Sequence, residues 1–122
     1  MILLLAALAL QTLPSPQADR WTQLDNRDGG ELSIDLQSLS RSGTQVRVVV
    51  RGRMQRPDGP AIGVVRYVYD CPANTVTREL ADIYDGDNHF LGTVDTPQPS
   101  HAIPPRSLHA AVREAVCEAP AR

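Results

Sequence analysis

The chain has 122 residues, enough for one domain, and carries twelve Arg, no Lys and a net charge of −2. A slightly acidic chain with few aromatics lacks the interleaved basic and stacking residues that nucleic-acid binding needs. Its two cysteines, Cys71 and Cys117, lie too far apart for a Cys-x-x-Cys redox pair and are too few for a disulfide-rich scaffold.

The chain opens with an apolar run, Ile2 to Leu13, broken only by Gln11 and Thr12. That is short of the ~20 apolar residues of a membrane span and fits the apolar region of an export leader. Cleavage after Ala18 divides the chain into a leader, residues 1–18, and a single domain, residues 19–122. Pro16 is a poor residue at the third-last position before that cut, and Ala9 is a competing site. Export implies a periplasmic, secreted or cell-surface protein with no membrane span in its mature chain. In an oxidising compartment Cys71 and Cys117 form a disulfide closing 46 positions; in a reducing cytosol they are free thiols.

Arg20 to Asp25 reads as a first short strand with Trp21 as an apolar anchor, and Asn26 to Gly30 as a turn. Glu31 to Asp35 returns with Leu32 and Ile34 inward. Asp35 then caps a single helical turn through Leu36 and Leu39, ended by Gly43. Gln45 to Met54 alternates: Val46, Val48 and Val50 on one face, Arg47, Val49, Arg51 and Arg53 on the other. Arg56 to Pro60 reads as a loop. Val64 to Cys71 is the richest strand candidate, with Val65, Tyr67, Tyr69 and Cys71 on one side. Pro72 stops it. Thr75 to Tyr84 alternates again, placing Val76, Leu80 and Tyr84 together. Asp85 to Asn88 is a hairpin turn, Phe90 to Val94 a short strand, and Asp95 to Pro105, with four prolines, irregular. Ser107 is an N-cap for a helix whose apolar stripe is Leu108, Ala111, Val112, Ala115 and Val116, with Cys117 at its end. Strands followed by one helix read as α+β: an antiparallel sheet of five to six strands with the C-terminal helix on one face.

Chemistry is sparse. His89, His101 and His109 lack metal-ligand spacing, and no cofactor motif or nucleophile elbow is present. Asp85-Gly86-Asp87-Asn88 lacks the later Glu of a calcium loop, so turn chemistry explains it better. A carboxylate pair such as Asp70 with Asp82, from neighbouring strands, is what a small periplasmic hydrolase would need; solvated surface carboxylates are the far commoner reading. Residues 41–66 hold six Arg and one acid; residues 67–122 hold four Arg and eight acids. Arg47, Arg51 and Arg53, with Arg66 on a neighbouring strand, form a row. The row is either a solvated face that protects the sheet, or a site for sulfated glycan, lipid headgroup or acidic protein segment.

Several features stand in an order that resembles the surface-adhesin protein E family of bacterial envelope proteins. They are Trp21; Gly30-Glu31-Leu32-Ser33-Ile34-Asp35 with Leu39 and Gly43; Val46–Met54; Tyr67-Val68-Tyr69-Asp70-Cys71; and Ile103-Pro104-Pro105-Arg106-Ser107 before a helix ending Val116-Cys117. The resemblance implies an antiparallel sheet with a packed C-terminal helix, a disulfide and no catalytic site. Founding members bind host matrix and serum proteins such as laminin and vitronectin. The expected function is thus a non-catalytic, exported adhesin-like binding domain without cofactor, with a host-matrix or envelope partner. The alternatives are a small periplasmic hydrolase using surface carboxylates on the open sheet face, or a structural periplasmic subunit that forms a homodimer.

Overall fold

The computed structural model describes residues 12–24 and 31–118, so the predicted turn at residues 26–30 lies outside the described residues. In chain order these residues form β1 (Thr22–Gln23), β2 (Leu32–Ser42), β3 (Gln45–Arg56), β4 (Gly59–Asp70), β5 (Thr75–Asp85), β6 (Phe90–Val94), β7 (Gln98–Ala102) and α1 (Leu108–Cys117). The strands make one antiparallel sheet in the order β1-β2-β3-β4-β5-β6, with β7 also on β5.

The hairpin of β3 and β4 sets the architecture. It is in unbroken register from Gln45 opposite Asp70 to Arg56 opposite Gly59. What reads as a loop at 56–60 is therefore a tight turn. Gly59, at φ 125°, occupies a conformation closed to residues with a Cβ. Period-two geometry puts Val46, Val48 and Val50 beside Tyr69, Tyr67 and Val65 on one face. Leu32 and Ile34 of β2, Val76 of β5, Ile103, and Val112 and Val116 of α1 complete that core. Val48, Tyr69, Val76 and Val116 are wholly inaccessible. Each such side chain stabilises the fold by roughly 1.5–3 kcal/mol relative to leaving it in water.

α1 begins where Ser107 accepts a 3.1 Å hydrogen bond from the Ala110 amide. Val112 and Val116 are the buried part of its stripe; Leu108 is 47% exposed. Its C-terminal half is tied to the sheet by a disulfide and by two arginines. Cys117 is disulfide-bonded to Cys71, with Cα atoms 5.8 Å apart. Arg113 donates to the Cys71 carbonyl (2.6 Å), and Arg41 to the Val116 carbonyl (2.7 Å). The latter places a cation at the negative end of the helix.

Three sequence expectations are corrected. Leu36 to Leu39 is not a helical turn: β2 runs through it with an irregularity between Asp35 and Ser40. Asp35 does cap a local turn, accepting from the Gln37 amide. Ser38 Oγ, however, bridges the Asp35 carbonyl and the Val49 amide, which ties the segment to β3. Second, the proline-rich segment contains β7, paired with Thr75, Val76 and Arg78. An edge strand tolerates Pro99 because only one side of it needs donors, and Pro97 lies just before the strand begins. Third, Val76 does not share a face with Leu80 and Tyr84. In β5 Arg78 opposes Tyr67 and Leu80 opposes Arg66, so Glu79 is an extra residue. One extra residue moves everything after it to the other face.

That other face has its own apolar patch. Leu13, Val49 and Val64 are buried together, flanked by Trp21, Leu80 and Tyr84. The helix covers one side of the sheet, and residues 13–21 cross part of the other.

Candidate functional site on the arginine-bearing face

The sequence groups Arg47, Arg51, Arg53 and Arg66, and the structure places all four on the face away from α1. The β3–β4 register explains why: Arg47 lies opposite Val68, Val49 opposite Arg66, and Arg51 opposite Val64. Their surroundings differ. Arg47 makes a two-pronged pair with Glu79, Nε to Oε1 at 2.7 Å and Nη2 to Oε2 at 3.0 Å. Arg66 Nε reaches the same Oε1 at 3.0 Å. Glu79 is the extra residue of β5, so the irregularity that flips the strand also aims this carboxylate between two guanidiniums. The hydrogen bond from Arg47, and then the charges of both arginines, hold the Glu79 carboxyl below its usual range. The same bond pushes the Arg47 guanidinium further up. One carboxylate thus serves two permanent cations.

Arg51 is turned inward. Nη1 donates to the Pro16 carbonyl (2.6 Å), Nη2 to Ser33 Oγ (3.2 Å), and the guanidinium stacks 5.2 Å from the Trp21 ring centroid. Its work is structural. Arg53 pairs with Glu31 at 3.1 Å, both side chains more than half exposed. Of the row, Arg47 and Arg53 are the guanidiniums that face water most, at 51% and 54% side-chain exposure.

The carboxylates of the hydrolase reading do not meet. Asp82 lies opposite Val64, six residues along β4 from Asp70, which is roughly 20 Å at strand spacing. Asp70 accepts from the Ala73 amide, and Asp82 from the Thr93 hydroxyl. The Asp85 turn brings one ligand atom each from Asp85, Asp87 and His89 within 4.8 Å. Asp85 Oδ1 there accepts from the amides of Asp87 and His89, and Oδ2 lies 3.2 Å from the His89 ring. These bonds, led by the His89 amide, hold the Asp85 carboxyl below its usual range and are turn chemistry.

One grouping has no sequence signal. Under the first turn of α1, His109 packs edge-on against Tyr67, with its Nδ1 2.9 Å from the buried Tyr69 hydroxyl. The His101 ring of β7 lies 6.0 Å away, centroid to centroid. Burial, and then the nearby His101, push His109 below the usual imidazole range; burial pushes Tyr69 well above the phenol range. Only the tertiary meeting of β4, β7 and α1 creates this cluster.

Residues 21–118 match the family model for surface-adhesin protein E. The chain belongs to the surface-adhesin protein E family. The matched span takes in every strand described above, the helix and both cysteines. No curated protein matches the chain. As a member of this family it is a surface-adhesin-type chain, and among its described residues no helix is long and apolar enough to cross a membrane.

Proposed function

We propose that this chain is an exported, non-catalytic binding domain of the bacterial envelope, and that its arginine-bearing face receives an anionic partner. The observation that carries the reading is the exposure of Arg47 and Arg53 on one rigid strand, each steered by a carboxylate. A partner carboxylate or sulfate can compete with Glu79 for the Arg47 guanidinium, or displace Glu31 from Arg53. Acidic protein segments, sulfated glycans and lipid headgroups present that chemistry. Exposed pairs contribute only about 0–1 kcal/mol each, so binding draws on several at once and weakens as salt rises. Family membership supports an adhesin role, and the apolar run Ile2–Leu13 supports export. The separation of Asp70 from Asp82 weighs against the hydrolase reading.

The test is retention of the domain on a heparin matrix across a salt gradient, against Arg47→Ser/Arg53→Ser. Arg51 is left intact because it holds residues 15–21 in place. Earlier elution of the double variant, at unchanged thermal midpoint, supports the site; co-elution of the two proteins removes it.

A homodimer is the second reading. Phe90, Leu91 and Val94 of the uncharged edge strand β6 are 57%, 53% and 38% exposed. An apolar edge of this kind pairs readily with another strand. Native mass spectrometry of the chain and of Leu91→Lys distinguishes a dimer through β6 from a monomer.

A further inference from the structure

The segment between the apolar run and Trp21 is built into the fold. Leu13 is 8% exposed and buried with Val49 and Val64, which are themselves 5% and 0% exposed. Ser15 organises the turn that leads to Trp21. Its carbonyl accepts from the Ala18 amide (3.0 Å) and from the Trp21 indole (3.2 Å), and its hydroxyl from the Gln17 amide (3.1 Å). The Pro16 carbonyl takes the inward guanidinium of Arg51 at 2.6 Å. Pro14 and Pro16 fix φ on either side of Ser15, which lowers the entropy lost on ordering the strap.

A cut after Ala18 removes all of this. It uncovers Val49 and Val64, deprives the Trp21 indole of its acceptor, and leaves the partly buried Arg51 without the Pro16 carbonyl. Water can replace the two lost acceptors, so the main cost is the apolar surface of Val49 and Val64 returned to solvent. The chemistry of the cut points the same way. Export proteases read small residues at the last and third-last positions of the leader, and Ala18 has Pro16 at the third-last. Ala7-Leu8-Ala9 has alanine at both.

We propose that processing follows Ala9, and that the mature chain keeps residues 12–18 as a strap covering part of the second face of the sheet. This rests on the export reading above. The position of the cut is independent of how far the leader extends towards its own start. The strap lies upstream of the family-matched residues 21–118, so the inference comes from this chain's own packing.

The test expresses the full chain with its leader in a Gram-negative host and measures the N-terminal peptide of the protein in the periplasmic fraction by mass spectrometry. A start at Leu10 is expected. A start at Asp19 overturns the strap while leaving export intact; a chain that keeps Met1 in the cytosol overturns export and the cut together. Leu13→Ala, introduced into the precursor, adds a second readout because it leaves Ala7 and Ala9 untouched. If Leu13 stays in the product, the variant's thermal midpoint falls by roughly 10 °C, the effect of truncating a buried leucine in a domain this small. An unchanged midpoint means that Leu13 has been removed with the leader, and the strap is refuted.

Discussion

Replacing Cys71 and Cys117 together by alanine should destabilise the domain by about 4 kcal/mol. The disulfide closes 46 positions, and the chain-entropy relation gives that figure for a loop of this length. The loop holds most of β5, β6, β7 and α1, so opening it frees the helix and the outer edge of the sheet to separate in the unfolded chain. The double variant should still fold. Val112 and Val116 remain buried, and both arginine tethers act on backbone carbonyls that the substitution leaves in place, Arg113 on residue 71 and Arg41 on residue 116. For a domain of about 100 residues, 4 kcal/mol corresponds to a fall in thermal midpoint of roughly 15–30 °C. It also corresponds to a fall in urea midpoint of about 1.3 M or more. Urea unfolding followed by Trp21 fluorescence measures it, with the wild-type chain under reductant as the control. The reduced wild type and the double variant should agree to within about 1 kcal/mol, since both lose the same cross-link. A loss below about 1 kcal/mol would refute the reasoning: the helix would then be held by packing and arginine tethers, and closure of the loop would contribute little.

Three smaller perturbations test the same geometry. Arg20→Ala removes the cation 2.7 Å from the fully buried Asp35 carboxylate and should cost about 1–3 kcal/mol, part of which Asp35→Asn restores in the double variant; additive losses would show that the two do not interact. Ser107→Ala removes the N-cap of α1 and should cost about 1 kcal/mol by thermal melts, whereas a neutral result would show that the first turn is held by packing alone. The third concerns pH. His109 is pushed down in the folded protein, so folding favours its neutral form, among Tyr67, Tyr69 and His101. Its contribution is complete above the ordinary imidazole value of about 6.5 and is lost as pH falls below it towards the depressed value. The thermal midpoint should therefore drop more between pH 7.5 and pH 5.5 in the wild type than in His109→Gln; parallel drops would assign the acid sensitivity elsewhere.

The parts of the fold legible in the sequence are those where side-chain period and backbone geometry agree. Val46, Val48 and Val50 declare β3, and the tyrosine–valine run declares β4. Ser107 with the Val112/Val116 stripe declares α1 nearly to the residue. The illegible parts are departures from regularity. An alternating pattern at Thr75–Tyr84 gives no sign that Glu79 will stand out of register, yet that one residue decides which face Leu80 and Tyr84 join. Asp35 signals a local turn whether that turn begins a helix or interrupts a strand; Ser38 bridging to β3 selects the strand. Prolines at 97 and 99 argue against a central strand, and β7 is an edge. At the candidate site, the grouping of Arg47, Arg51, Arg53 and Arg66 on one face is readable from period two. Their division into two that share Glu79 (Arg47 and Arg66), one on Glu31 (Arg53) and one turned in against residues 15–21 (Arg51) is not, because Glu79, Pro16 and Trp21 arrive from other parts of the chain. Leu13 reads as the last residue of an apolar leader because burial in a core and burial in a membrane select the same side chain.

The most direct test of the proposed binding face is to map it. Amide chemical shifts of the isotopically labelled domain are tracked while a sulfated heparin oligosaccharide is added at low salt, then again at high salt. The expected shifts cluster on β3 and β4 around Arg47, Arg53 and Arg66 and on β5 around Glu79. They shrink at high salt and are lost in Arg47→Ser/Arg53→Ser, while the amides of α1 stay in place. Shifts confined to α1 or the Asp85 turn, or a double variant that titrates like the wild type, would contradict an anion-binding role for this face.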